Sequence, residues 1–216
     1  MKKIFGIQFI LVFIFFFSIE TDARPKKSLA YYKKELVKYY ESKKYNRDVK
    51  KKLDKLWKKL RRVTVQKNSA LVFDIDDTLI SSYEANKKFG FGNLMVCDPN
   101  FVYKGDFKAI PAAKEFYDKV VKHGFKIFLI SNRENGALMA TEENLRDQGF
   151  THYEKAYLRD YAATKSISSG RFKQIIRNRI IEQGYDIIAT IGDQESDCEG
   201  SNTGFCITLP NYMYSI

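Results

Sequence analysis

The 216-residue chain is poor in histidine, cysteine and tryptophan: two, three and one, respectively. His123 and His152 stand far apart from each other in the sequence and from any metal-ligand spacing, so neither is assigned a ligand role, and a reaction centred on a histidine is disfavoured. No Asn-x-Ser/Thr sequon occurs, so no N-linked glycan can be read. There is no internal repeat, and nothing collagen-like, low-complexity or broadly disordered in the composition. Hydrophobic residues make up 44% of the chain, enough for one sizeable core and too few residues for two comfortable ones.

Two further absences bear on the start of the chain. Residues 4–19, IFGIQFILVFIFFFSI, form an apolar run after a short cationic MKK. The run has signal-peptide length and is short for a membrane span. Small residues in TDA at 21–23 suit cleavage after Ala23, so residues 1–23 are expected to be a secretory signal, with an uncleaved anchor as the rival. No cysteine follows the run, which excludes a bacterial lipoprotein anchor. Of the three cysteines, Cys198 and Cys206 are the closer pair and would close a small loop in an oxidising compartment. The alternative is that Cys206, in GFCITL, is a buried strand thiol.

Acidic residues are scarce in one segment only. Residues 24–69 hold 18 Lys and Arg against 4 Asp and Glu, whereas residues 70–216 hold 17 against 20. The net charge of +11 therefore belongs to the N-terminal part. There Val49, Leu53, Leu56, Trp57 and Leu60 recur at helical spacing, and Leu29, Tyr32 and Leu36 do so before them. Two helices joined by a turn at SKKYN are expected over residues 24–66. They either pack an apolar stripe on the rest, with solvated lysines, or offer a surface to a polyanion such as nucleic acid or anionic lipid.

From residue 70 the pattern alternates. ALVFDI, FKIFLIS, KAYLR, YDIIATIGD and GFCITL read as strands. AIPAAKEFYDKVVKHG, NGALMATEENLRDQG and GRFKQIIRNRIIEQG read as helices between them. Such alternation implies a parallel sheet flanked by helices, with ligands at the carboxyl ends of its strands. Those ends carry unusual chemistry. LVFDIDDTLI places Asp74, Asp76 and Asp77 at the tip of an apolar strand, FLISNR supplies Ser131, Asn132 and Arg133, and GDQESD supplies Asp193 and Asp197. Lys173 sits on the helix before the last of these. Clustered acids repel and resist desolvation, so a hard, oxygen-seeking cation such as Mg²⁺ is expected to neutralise them.

A strand-end carboxylate held beside Mg²⁺ can attack phosphorus, and a second, two residues on, can shuttle the proton. In order and spacing, FDIDDT, FLISNR, the helical lysine and GDQESD resemble the four motifs of the haloacid dehalogenase superfamily. AIPAAKEFYDKVVKHGFKIFLISNR, ENLRDQGF and LPNYMYSI are similar to its acid phosphatase branch, which includes class B acid phosphatases and plant vegetative storage proteins. The resemblance implies a Rossmannoid α/β domain over 67–216 without a large cap domain. It implies Asp74 as nucleophile and metal ligand, and Asp76 as general acid/base that also ligates metal through its carbonyl. Ser131, Asn132 and Lys173 would bind phosphate (Lys165 is the runner-up for Lys173), Arg133 would touch substrate, and Asp193 and Asp197 would bind metal, Asp197 directly or through water. Asp77 is assigned only a local role. The implied activity is that of a secreted Mg²⁺-dependent acid phosphatase acting on small phosphomonoesters, nucleotides among them, through an aspartyl-phosphate. The alternative is a weakly active or inactive storage or binding protein with a polyanion-binding arm. A protein phosphatase shares the first motif but is disfavoured by the apolar leader and by GDQESD. Residues 81–108 are too short for a folded cap domain, so loops partly covering an open site are expected, with Tyr83, Phe89, Phe91 and Phe101 mainly packing them.

Overall fold

A computed structural model describes residues 27–215. The expected signal at 1–23 lies outside these residues. Among the described residues no helix is long and apolar enough to cross a membrane.

Two helices come first, α1 (Leu29–Glu41) and α2 (Lys43–Leu60). Only Ser42 separates them, not the expected SKKYN turn. Its backbone N–H closes α1 on Lys38, and its side chain accepts from the Lys44 N–H to open α2. One hydroxyl residue thus ends one helix and caps the next, which leaves KKYN free to be helical.

The sheet follows: β1 (Ser69–Phe73), β4 (Lys126–Glu134), β5 (Lys155–Arg159), β6 (Asp186–Gly192) and β7 (Phe205–Thr208). Its order is β5-β4-β1-β6-β7, and every pairing is parallel. Between β1 and β4 lies a small antiparallel pair, β2 (Ile80–Ser81) with β3 (Lys108–Ala109). It brackets α3 (Tyr83–Lys88), α4 (Leu94–Cys97) and a 3-10 turn at Phe101–Tyr103. The segment expected to be loops is therefore a short helical insert on a two-strand stem. The crossovers are α5 (Pro111–Lys122), α6 (Leu138–Asp147) and α8 (Ser169–Glu182), with the single turns α7 (Tyr161–Thr164) and α9 (Glu195–Cys198).

Strand periodicity divides the core. Ala70 and Val72 of β1 face α8 through Phe172, Ile176 and Ile180, together with Phe128 and Ile130 of β4. Leu71 and Phe73 face the other way, into a cluster with Ile127, Leu129, Phe116 and Tyr117. That second cluster continues without a break into Tyr40, Tyr45, Val49, Leu53, Leu56 and Leu60 of the N-terminal helices. The contact is also polar: the Asn46 side chain accepts from the Ala112 N–H at 2.8 Å. Pro111 opens α5 without a side-chain cap of its own, so α2 supplies one.

Cys198 and Cys206 are joined in a disulfide, so Cys206 is not a free strand thiol; Cys97 is exposed and unbridged.

The buried stripe of α2 runs through Val49, Leu53, Leu56 and Leu60, with Trp57 at its edge. Leu56 is 3% exposed, whereas Trp57 is only half-buried, its ring edge against His123 at 5.1 Å. Leu56→Ala is therefore expected to cost about 2–5 kcal/mol in a urea titration, by lost burial and the cavity left behind. Trp57→Ala should cost less, because its ring already meets water; the reverse ranking would mean that α2 docks in a different rotation.

Candidate active site

The chain turns sharply at the end of β1. The Asp74 N–H still donates to Ile191 in the ladder, at 2.9 Å, and then the N–H groups of Leu79 and Ile80 both fold back on the Ile75 carbonyl. Asp77 takes the left-handed backbone conformation this turn needs, with φ of 53°. It is fully buried, and its carboxylate accepts from the Ser82 N–H and hydroxyl and from the Tyr214 hydroxyl. Burial nevertheless pushes its carboxyl up to about 6. Its contacts are with the turn and the C-terminal segment, in keeping with the local role expected of it.

Asp74 is 6% exposed and accepts from Lys173 Nζ at 2.7 Å. The same ammonium donates to Asp197. Asp197 also accepts from the Gln194 N–H at 2.9 Å, one arm of a capping box that opens α9. Gly192 is required here, since a Cβ at that position would overlap the Asp197 carboxylate. Asp193 accepts from Thr78 Oγ1 at 3.3 Å on Oδ1, and from Gln194 Nε2 at 2.6 Å and Asn211 Nδ2 at 2.7 Å on Oδ2. Carboxylate oxygens of Asp74, Asp193 and Asp197 lie within 4.8 Å of one another.

Asp76 faces the other side of the turn. Arg133 grips it with two parallel hydrogen bonds, Nε at 2.8 Å and Nη2 at 2.7 Å, and spends Nη1 on Thr141 at 3.0 Å. A buried guanidinium so engaged orients Asp76 more directly than it reaches toward substrate. The Ser131 hydroxyl accepts from the Arg133 N–H at 3.1 Å. The side-chain oxygen of Asn132 faces Arg159 Nη1 at 3.4 Å, and its carbonyl accepts from the Tyr161 hydroxyl at 2.9 Å. β4 runs on to Glu134, a 3-10 turn follows at Asn135–Ala137, and α6 opens at Leu138.

Asp74, Asp76, Ser131, Asn132, Arg133, Lys173 and Asp193 line one cleft of about 660 Å³, and Asp197 lies behind it, against Lys173. Lys165 is exposed at the end of α7 and is not among the lining residues. Phe91 and Phe101 of the insert both pack on the core and face the cleft, and Met213 and Tyr214 close it from the C-terminal side. The sequence reading missed Thr78, Asn211, Tyr214 and Arg159, which orient the functional side chains. Nothing local marks them; only LPNYMYSI, noted for its resemblance alone, pointed to the C-terminal pair.

Burial is the main cause that raises the Asp74 carboxyl, and Asp197 and Asp193 add to it while Lys173 opposes it. Burial, with the neighbouring Asp197 and Asp77, pushes Asp193 up to about 7. Three buried carboxylates around one ammonium leave an excess of negative charge, and their oxygens suit a small, hard divalent cation, whose ligands sit at about 2.1 Å from the ion. The residues fit Mg²⁺.

A family described as HAD superfamily, subfamily IIIB (acid phosphatase) matches residues 17–216, and the chain belongs to it. Among curated relatives, the stem 28 kDa glycoprotein of Glycine max is 36% identical over 162 residues, covering 72% of this chain and 63% of that protein. Acid phosphatase 1 of Solanum lycopersicum is 34% identical, covering 67% of this chain and 58% of that one. The chain thus spans less than two thirds of each. The class C acid phosphatase from Bacillus anthracis shares the fold, with a TM-score of 0.68, 22% identity, and coverage of 87% of this chain and 86% of that one.

Raised carboxyl values in the folded state make the metal-free protein pH-sensitive. An unfolded Asp titrates near about 3.9, so between there and about 7 the folded state holds the extra proton on Asp193, and stability falls as pH rises through that window. Denaturant titrations in chelator are expected to show a less stable protein at pH 8 than at pH 5. Saturating Mg²⁺ should reduce the difference, and a metal-free curve that rises with pH over the window would contradict the charge arrangement.

Proposed function

We propose that the protein is a Mg²⁺-dependent phosphomonoesterase that works through an aspartyl-phosphate on Asp74. The observation that carries this reading is the pairing of Asp74 with Lys173 at the end of the central strand, with Asp76 held apart on Arg133. A buried carboxylate fixed by an ammonium is pre-aimed as a nucleophile, and a second one, partly open to solvent, is free to exchange protons.

Asp74, Asp193 and the Asp76 carbonyl would hold Mg²⁺, with Asp197 binding directly or through water. The bound ion would neutralise the acids and the non-bridging phosphate oxygens. Ser131 and Asn132 would hold those oxygens from β4, and Lys173 would hold them from α8. Asp74 attacks phosphorus as Asp76 protonates the departing oxygen; Asp76 then takes a proton from the water that cleaves the acyl phosphate. Arg133 keeps the Asp76 carboxyl group in place through both steps. The partly apolar rim of Phe91, Phe101 and Tyr161 would accept varied leaving groups, nucleosides among them.

The Cys198–Cys206 disulfide supports a life in the secretory pathway or outside the cell, where such bonds persist. The storage-protein reading draws only weak support from vegetative storage proteins among the relatives, and the whole acid–lysine set present here favours the enzyme. The basic face of α2 remains open to a polyanion, but its buried face serves the core.

Asp74→Asn should keep the fold and lower turnover of an aryl phosphate by at least about a thousandfold, because the shape stays and the attacking charge goes. Chelator should abolish wild-type turnover and Mg²⁺ should restore it. Wild-type rates in either the variant or the chelated enzyme would sink this reading.

A further inference from the structure

The last residues of the chain cross the cleft, and the proposed chemistry leaves them without a task. After β7, the Leu209 N–H donates to the Gly192 carbonyl at 2.7 Å and sets the segment beside Asp193. Asn211 Nδ2 then donates to Asp193 Oδ2 at 2.7 Å. The orientation of this amide is fixed from its other end, because Asn211 Oδ1 accepts from the Met213 N–H at 2.9 Å and faces the Tyr40 hydroxyl at 3.5 Å. The Tyr40 hydroxyl also accepts from the Tyr212 N–H at 3.2 Å, and its ring stacks on Tyr83 of the insert at 5.0 Å. Two residues further along, Tyr214 donates to Asp77 at 2.6 Å.

With Gln194 and Asn211 both on Oδ2, the other oxygen of Asp193 makes, among the described residues, a long contact to Thr78. A carboxylate so held has one oxygen occupied and one left to ligate. We propose that Asn211 and Tyr214 are positioning residues. Asn211 fixes the rotamer of Asp193 so that one oxygen is presented to the metal, and Tyr214 fixes the Asp77 turn that carries Asp76. Residues 211–214 are thus a strap, held down by Tyr40 of α1, that shapes the metal site from outside it. The proposal rests on the Mg²⁺ reading given above.

Calorimetric titration of Mg²⁺ into the full chain tests it, alongside thermal unfolding with and without the ion. Asn211→Leu, similar in size but without the donor, is expected to weaken Mg²⁺ affinity by about tenfold, the usual size of such an effect. Turnover should recover at saturating Mg²⁺ with KM for the ester little changed. Tyr214→Phe should weaken affinity in the same direction but less, and it decides the matter by the same titration if Asn211→Leu does not fold. Leu56→Ala is the structural control: it should lower the unfolding temperature without moving the Mg²⁺ affinity. If both strap variants lose stability but bind Mg²⁺ like the wild type, the strap is packing only and the proposal fails. A wild-type chain that takes up no Mg²⁺ would instead overturn the metal reading itself.

Discussion

One ammonium holds the site together. Lys173 Nζ lies between Asp74, at the end of the central strand, and Asp197, in the turn after β6. Remove its charge and three carboxylates are left buried side by side, an arrangement that burial and mutual repulsion both oppose. The helix that carries it is fixed by its apolar face: Phe172, Ile176 and Ile180 lie on the sheet, and Lys173 sits one position round, toward the strand ends. One turn further on, Arg177 is also buried and donates to the carbonyls of Asp197, Glu199 and Ser201. α8 thus presents two buried cations in succession, the first to side chains and the second to backbone. Between them they fix the turn that carries Asp193 and Asp197.

The parallel sheet determines where this chemistry can sit. β1 has neighbours on both sides, so its carboxyl end is flanked by the ends of β4 and β6, which bring Ser131 and Asp193 to it. Five parallel strands also need both faces covered. α8 covers one face; on the other, α2 lies beside α5 and caps it through Asn46. The basic N-terminal helices are therefore part of the same core as the strand that carries the nucleophile candidate. Tyr40, through Asn211 and Tyr212, carries that packing up to the rim of the site.

Much of this was legible because it depends on periodicity and order. Each of the five long strands and the three main crossover helices reads as an unbroken run with a clear stop, such as Gly124, Gly149 and Gly184. The acids, the hydroxyl and the lysine fall at run ends in a fixed sequence. What escaped depends on geometry that no run encodes. Helical spacing admits both Leu56 and Trp57 to the buried stripe of α2, and only the packing shows that Leu56 is fully buried while Trp57 stays at its edge. Ser42 gave no sign that it alone would separate two helices. The insert reads as irregular because its helices are one or two turns long, below the length at which a pattern shows. The resemblance placed Arg133 at the substrate, and it does line the cleft, but only its rotamer shows that Asp76 takes its fork.

The contacts that define the site are also among the most distant in sequence. Lys173 and Asp74 are 99 residues apart, Asp76 and Arg133 are 57 apart, and Tyr40 and Tyr212 are 172 apart. Each closes a long loop, and the entropy of closure must be met before the contact returns anything. A single ion pair in a charged cleft does not supply that. The apolar clusters do, since they already join the N-terminal helices, β1, α5 and the C-terminal Leu209 in one body. Burial of the core therefore brings the acids together against their own repulsion, and the polar network then selects their rotamers. On this view the charge cluster is a load that the fold carries, and the stability lost to it is what leaves Asp74 paired, buried and aimed into an open cleft.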